Sequence, residues 1–236
     1  MNLKDKTIFV TGANGGLGKE LVKRFIKEDV KKIYCAVRNA DSGIMLKNLS
    51  PKVELLELDL CDNENVKCVG QNIQSIDILV NNAGANSKIR IFEDSTLDFD
   101  VNVMGTLNIT KSLFTKINQN GMIINITSIT ALTNNPLIGL YSASKSAMHS
   151  LTQAMRAEMS LRDVHVLEVL PGPIDTNMTK GRDMPKANAK DIVDEIFAGI
   201  KNKVYEVYPD EFSKRIKNSL EKDSRSVEVE FQKSLI

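Results

Sequence analysis

The chemistry this sequence can offer rests on a tyrosine, a lysine and a serine. Tyr141 and Lys145 stand four residues apart in Tyr141-Ser142-Ala143-Ser144-Lys145, and Ser128 lies thirteen residues upstream. On a helix that spacing puts the tyrosine and lysine on one face, one turn apart. A free phenol titrates near pH ~10 and is a poor base at neutral pH. A neighbouring ammonium favours the phenolate and brings that value down. A serine hydroxyl at a strand end can donate to a carbonyl oxygen. Together the three could move a proton on or off an alcohol. The Tyr-Lys pair alone is also what a half-buried tyrosine beside a solvated lysine would give, so the reading needs a hydride carrier held beside it.

The elements that would position such a carrier begin at the N-terminus. Residues 6–11 predict a short buried strand, residues 12–18 a glycine-rich turn and residues 17–29 a helix. Strand, turn and helix are the context a dinucleotide-binding turn requires. Gly12, Gly16 and Gly18 let the backbone turn and approach a pyrophosphate, with Asn14 and Leu17 in the same turn. The helix N-terminus then offers free N–H groups to the phosphates. The spacing is T-G-x-x-x-G-x-G, not the commoner G-x-G-x-x-G.

A second strand over 32–37 ends at Val37, and Arg38 follows. In this kind of fold an acid there selects NAD, whereas an arginine accommodates the 2′-phosphate of NADP. Val37 is not an acid, so NADP(H) is expected and NAD(H) is the less favoured alternative. Gly15 stands where a second basic residue would strengthen that choice, so the expectation rests on Arg38. A third strand over 53–58 runs into Asp59-Leu60-Cys61-Asp62, where Asp59 could accept from an adenine amino group and Asp62 caps the next helix. A fourth strand over 76–80 is followed by Asn81-Asn82-Ala83-Gly84, small residues and amides suited to a cofactor crossing the sheet edge.

Further along, 95–117 is expected to be one long helix containing Asn102, and 122–127 a strand ending at Ser128. The helix bearing Tyr141 and Lys145 runs to about residue 161 and is apolar over most of its circumference, through Ala143, Ala147, Met148, Leu151, Met155 and Met159. A helix this apolar is usually covered on more than one side. A sixth strand over 164–170 ends in Pro171-Gly172-Pro173-Ile174-Asp175-Thr176. An irregular lid to 189, a helix over 190–201 and a strand over 204–208 follow. Residues 209–236 are charged and amphipathic, and the run Lys214-Arg215-Ile216-Lys217 is expected to be a solvated helix face. Strands alternating with helices imply an α/β, doubly wound parallel sheet covered on both faces.

Composition excludes other classes. A chain of 236 residues with 42% hydrophobic and 26% charged residues is ordinary for a globular protein, and a net charge of +1 leaves no footprint for nucleic acid. Apolar runs are too short to span a bilayer, and the N-terminus lacks the apolar core of a signal peptide. Three cysteines without a C-x-x-C point to reduced thiols and a cytoplasmic protein. Two histidines, His149 and His165, form no metal-ligand cluster in sequence.

In combination these residues resemble the short-chain dehydrogenase/reductases. The resemblance covers about 6–176: T-G-A-N-G-G-L-G at 11–18, D-L-C-D at 59–62, N-N-A-G at 81–84, Asn102, Ser128, Y-S-A-S-K at 141–145 and P-G-P-I-D-T at 171–176. It implies a single Rossmann-fold domain over 1–236 with sheet order 3-2-1-4-5-6-7. It implies that Tyr141 is the acid/base, that Ser128 holds the substrate oxygen, and that Lys145 lowers the tyrosine pKa and grips the nicotinamide ribose. It also implies that Asn102 holds a water behind Lys145, and that Pro171, Gly172, Ile174 and Thr176 line the cofactor site, the last two near the carboxamide. The expected activity is oxidation or reduction of a small carbonyl/alcohol substrate. A non-catalytic dinucleotide-binding sensor is the alternative, against which the retained polar set counts. The helices containing Asn102 and Tyr141 look able to form a homodimer. The charged tail departs from the glycine-rich ending of tetrameric members and puts a tetramer in doubt. Neutral residues at 129–138, with Met178 and Met184 beside Lys180 and Arg182, lean toward an uncharged carbonyl compound.

Overall fold

The apolar segments pair edge to edge into one parallel sheet. In the computed structural model, which describes residues 1–235, the strands are β1 (Thr7–Thr11), β2 (Lys32–Val37), β3 (Val53–Glu57), β4 (Ile76–Asn81), β5 (Ile117–Ile126), β6 (His165–Val169) and β7 (Glu206–Val207). Their order is β3-β2-β1-β4-β5-β6-β7, every pairing parallel. Every residue of β4 is buried, the continuous pattern of a strand covered on both faces. From β1 the chain winds outward through β2 to β3, then crosses back to lay β4 on the other side of β1. The carboxyl ends of these two neighbours therefore form the crevice where such sheets take ligands.

Helices cover both faces. On one side, α1 (Gly16–Lys27) buries Leu17, Leu21, Val22 and Phe25, an i, i+4, i+5, i+8 stripe. It packs on α7 (Ala189–Asn202), with the Phe25 and Phe197 ring centres 4.9 Å apart. Between β2 and β3 lies the short α2 (Ile44–Lys47). On the other face are α3 (Asn63–Asn72), α4 (Leu97–Phe99), α5 (Thr106–Leu113) and α6 (Gly139–Ser160). Asp62 caps α3 as expected, accepting from the backbone N–H groups of Glu64 and Asn65 at 3.0 Å.

Four expectations need correction. The long helix around Asn102 is not uniform: α4 passes through π-helical turns over Asp100–Gly105 before α5 begins, and β5 starts at Ile117 instead of 122. Ile117 pairs with Ile76, and the strand then crosses exposed Asn118–Asn120 polar residues, where Asn120 adopts a left-handed φ of 59°, before the buried run begins. β7 is only two residues long at the sheet edge. The tail is not a merely solvated face. It forms α8 (Glu211–Lys222) and α9 (Ser224–Gln232), and Ile216, inside the basic run, is fully buried against Ile129, Val227 and Phe231.

Candidate active site

At the mouth of β1 the chain turns through Gly12 with φ +61°, and a Cβ there would lie 2.8 Å from the Ala83 Cα. Gly18 is equally constrained: a Cβ would come within 2.3 Å of the Gly12 carbonyl. Only glycine lets these backbones approach so closely. The first turn of α1 has no side-chain cap and no acidic residue, so its N–H groups face outward without a competing anion. Across the crevice, Thr11 ties the facing loop down. Its hydroxyl accepts from the N–H groups of Asn82 and Ala83 at 3.0 Å. The Asn82 amide in turn donates to the Thr11 and Gly12 carbonyls at 2.9 and 3.0 Å. Asn81, by contrast, points into the sheet, donating to Thr110 and Asn125, and is structural.

From this crevice runs a cavity of about 1250 Å³. It brings together the candidates Gly12, Asn14, Gly16, Leu17, Gly18, Arg38, Asp59, Leu60, Asn82, Ala83, Gly84, Ser128, Tyr141, Lys145, Pro171, Gly172, Ile174 and Thr176. At the far end from Tyr141, Arg38 is exposed and makes no ion pair among the described residues. The Asn14 amide donates to Ser42 at 2.7 Å. Although position 37 carries no acid, Asp41 lines the same end, held in a turn capped by Asn39. Asp59 is exposed, one carboxylate oxygen accepting from the Cys61 N–H at 2.9 Å.

α6 carries Tyr141 and Lys145 one turn apart, as the spacing predicts. The Lys145 amine donates to the Ile126 carbonyl at 3.0 Å and stands 5.6 Å from the centre of the Tyr141 ring. Burial pulls Lys145 down to about 8, against the charges of Glu168 and Asp98. Burial also pushes Tyr141 up to about 12. The neighbouring Ser128 hydroxyl opposes that rise, and buried Asp98 adds to it. The lowered tyrosine pKa expected from the lysine is therefore not the balance within the protein itself, where desolvation of the phenolate is the largest influence. Ser128 Oγ accepts from the Thr130 N–H at 3.1 Å and the Thr130 hydroxyl at 3.0 Å. Its own proton reaches the Pro171 carbonyl only at a long 3.5 Å, and the Tyr141 oxygen stands beside it.

Asn102 does not line the cavity. It sits behind Gly84 and Lys145, where a Cβ on Gly84 would lie 3.2 Å from the Asn102 Oδ1 and 3.5 Å from the Lys145 Nζ. Its amide accepts from the Ala85 N–H at 2.8 Å and donates to the Ala85 carbonyl and the Ser144 hydroxyl at 2.9 Å. The side chain is thus committed as an anchor of the loop after Gly84. One turn earlier, fully buried Asp98 does the same for Ser87, accepting from its N–H at 3.1 Å and from its hydroxyl. Sequence reading passed over Asp98; its i−4 spacing from Asn102 is the signal that could have found it.

The histidines also behave differently in space. His149 on α6, Glu168 on β6 and Glu206 on β7 place ligand-type atoms within 4.8 Å of one another, a cluster invisible in sequence. Fully buried Glu168 accepts from Thr127 at 2.8 Å and lies 3.0 Å from the His149 Nδ1, an arrangement that raises the His149 pKa. The Arg156 guanidinium reaches Glu168 at 3.3 Å and Glu206 at 3.8 Å, supplying the positive charge of that cluster. His165 faces the Val204 carbonyl at 2.8 Å and is structural. Four further residues that line the cavity, Phe212, Glu230, Phe231 and Ser234, come from the tail. Their signal is apolar spacing at Phe212, Ile216 and Leu220 and at Val227 and Phe231, hidden among charges.

Comparison with known proteins agrees with this architecture. A family model described as short chain dehydrogenase matches residues 6–187. An uncharacterized oxidoreductase of Staphylococcus aureus is 32% identical over 209 residues, covering 82% of this chain and 90% of that protein. A short chain dehydrogenase from Burkholderia cenocepacia, solved in complex with NADP, is 31% identical with a TM-score of 0.90, over 98% of this chain and 99% of that one. A short chain dehydrogenase/reductase from Burkholderia phymatum, solved with NAD, shares the fold at 19% identity, with a TM-score of 0.84 over 98% of this chain and 96% of that one.

Proposed function

The chain belongs to the short-chain dehydrogenase/reductase family, and from that premise we propose that it is an NADP(H)-dependent oxidoreductase acting on a carbonyl/alcohol pair. The observation that carries the reading is convergence: Ser128, Tyr141 and Lys145 line the same cavity that begins at the glycine turn and Arg38. The protein groups fit a nicotinamide dinucleotide. Gly12 and Gly18 sit where a Cβ would collide, and α1 presents an uncapped N-terminus without an acid. Gly12, Asn14, Gly16, Leu17 and Gly18 would hold the pyrophosphate, Asp59 and Leu60 the adenine, and Asn82, Ala83 and Gly84 the crossing over the sheet edge. Pro171, Gly172, Ile174 and Thr176 would hold the nicotinamide end, and Lys145 its ribose. When bound, the nicotinamide supplies or accepts the hydride.

The chain's own residues handle the proton. Ser128 donates its weakly held proton to the substrate oxygen. Tyr141, pushed up to about 12, is a neutral phenol at physiological pH, the form that donates a proton in carbonyl reduction. One Lys145 N–H is spent on Ile126, which leaves others for the ribose, and its charge offsets the phenolate that proton transfer creates. Asn102 and Asp98 fix the loop that flanks this group. At the other end, Arg38 would meet the 2′-phosphate, a reading supported by the NADP bound to the 31%-identical relative from Burkholderia cenocepacia.

Leu97, Met104 and Phe114 remain exposed along α4, the π-helical turns and the end of α5, and Leu161 just past α6. That pattern supports a homodimer through these helices, which light scattering at micromolar concentration checks. The activity is tested by following NADPH consumption with a panel of aldehydes and ketones. Turnover with at least one is expected. Tight NADPH binding without turnover of any carbonyl would leave a binding protein in place of the enzyme.

A further inference from the structure

The tail after β7 plays no part in the reading above, yet α8 and α9 fold as a helical hairpin over the end of the cavity that holds Ser128. Asp210 fixes its root. One carboxylate oxygen accepts from the Gly172 N–H at 2.8 Å, and the other caps α8 through the Ser213 N–H at 2.8 Å. Ile216, Val227 and Phe231 then build a small core with Ile129, the residue after Ser128. The final turn, Lys233–Leu235, packs on the Pro136–Ile138 turn ahead of Tyr141.

Two rings of this hairpin face the cavity. Phe212 and Phe231 meet edge to face, centres 6.5 Å apart at 70°, and both line the space that Ile129, Leu137, Met178 and Met184 also line. Glu230 lies on the same wall, but both its oxygens bond Arg215, at 2.8 and 3.1 Å, which holds its carboxyl below the usual range. Its charge is therefore directed to Arg215. Ser128 and Tyr141 provide the polar point for one substrate oxygen; Thr130, Asn135 and Arg182 also line the cavity, but the face that the hairpin itself presents through Phe212 and Phe231 is aromatic. A charged substituent against it would lose water without gaining a partner, whereas an apolar or aromatic one gains ring contacts.

The geometry points to the α8–α9 hairpin as the substrate-selecting wall, and to aldehydes and ketones with bulky apolar or aromatic substituents as the class it takes. This rests on the carbonyl-reducing reading of the same site. The test compares 4-phenylbenzaldehyde, propanal and 4-carboxybenzaldehyde with wild type, Phe212→Leu, Phe231→Leu and Phe231→Ala, each checked by thermal melting. Wild type should favour 4-phenylbenzaldehyde in kcat/KM by about tenfold or more, the scale on which an apolar pocket discriminates. The folded phenylalanine variants should lose that preference through KM, not kcat, with NADPH affinity unchanged. Ligand-observed NMR of 4-phenylbenzaldehyde reads the same wall without turnover, and binding should weaken in the variants. Equal kcat/KM for the three aldehydes overturns the inference. So does a preference for the carboxylate, which would hand selection to Arg182 on the lid, or unchanged KM in both leucine variants. If no carbonyl is turned over, the carbonyl-reducing reading fails. The NMR arm then decides the wall separately: binding lost in the variants upholds it, and no binding by wild type overturns it.

Discussion

At one end of the cavity Arg38 stands exposed beside Asn14, Ser42, Asp41 and Asp59. At the other, Lys145 and Asp98 are buried and Tyr141 is half-buried on the cavity wall. Both ends are built to handle charge, and they do so by opposite means. The exposed end keeps its guanidinium in water and uses turns, glycines and a helix end, so its charges cost little and discriminate modestly. The enclosed end removes water, and the same burial moves Tyr141 up to about 12 and Lys145 down to about 8. Recognition can be done in a wet, high-dielectric setting, whereas proton transfer gains from a dry one.

The largest effect should come from breaking the enclosed end alone. Tyr141→Phe removes the proton donor and leaves the glycine turn untouched. Turnover should fall by about 10²–10⁴-fold, the usual worth of a general acid, with NADPH affinity measured by isothermal titration nearly unchanged. Equal losses in turnover and binding would mean that the two ends are not separable.

The converse experiment breaks the exposed end. Hydrogen bonds to a charged group contribute about 1.5–3 kcal/mol, roughly ten- to a hundredfold in affinity. Arg38→Ala should weaken NADPH by about that factor and leave NADH where it was. Because Arg38 is exposed, raising the salt should also erode the wild-type preference for NADPH. Asp41 lies on the same wall. If Asp41→Ala strengthened NADPH more than Arg38→Ala weakened it, the acid would be the determinant.

A smaller change sharpens the comparison further. Asp98 raises the pKa of both Tyr141 and Lys145. Asp98→Asn keeps an acceptor for the Ser87 N–H but removes the charge, so the Tyr141 pKa should fall. In alcohol oxidation the rate rises as the phenol ionises, and this rising limb of the pH profile should move to lower pH in the variant. A limb that stays in place would mean that the Asp98 carboxylate is not felt at Tyr141.

The glycine turn of the exposed end was legible in sequence, because close backbone approach demands glycine and the turn, strand and helix signals are local; Asp41 and Ser42, which the turn after β2 brings to the same end, were not. Tyr141 and Lys145 were legible for the same reason, since i and i+4 is a local relation. What sequence did not show depends on distance along the chain. Glu168 meets His149 and Arg156 across β6 and α6, and the Tyr141 pKa is set by burial that no spacing reports. The tail misled because its charges outnumber its apolar residues. Ile216 is flanked by lysine and arginine, and only the one-turn spacing to Phe212 and Leu220 marks a buried face. Similarly, the π-helical turns around Asn102 leave no signature in composition, and they accompany the commitment of its amide to Ala85 and Ser144.

The central claim is that hydride passes between the nicotinamide held at this crevice and a carbonyl carbon held by Ser128 and Tyr141. NADPH deuterated at the transferring carbon, incubated with the protein and a reactive aldehyde, tests it most directly. The account predicts an alcohol carrying deuterium on the former carbonyl carbon, formed by wild type and about 10²–10⁴-fold more slowly by Tyr141→Phe. Unlabelled product, or labelled product formed at the same rate by both proteins, would contradict it.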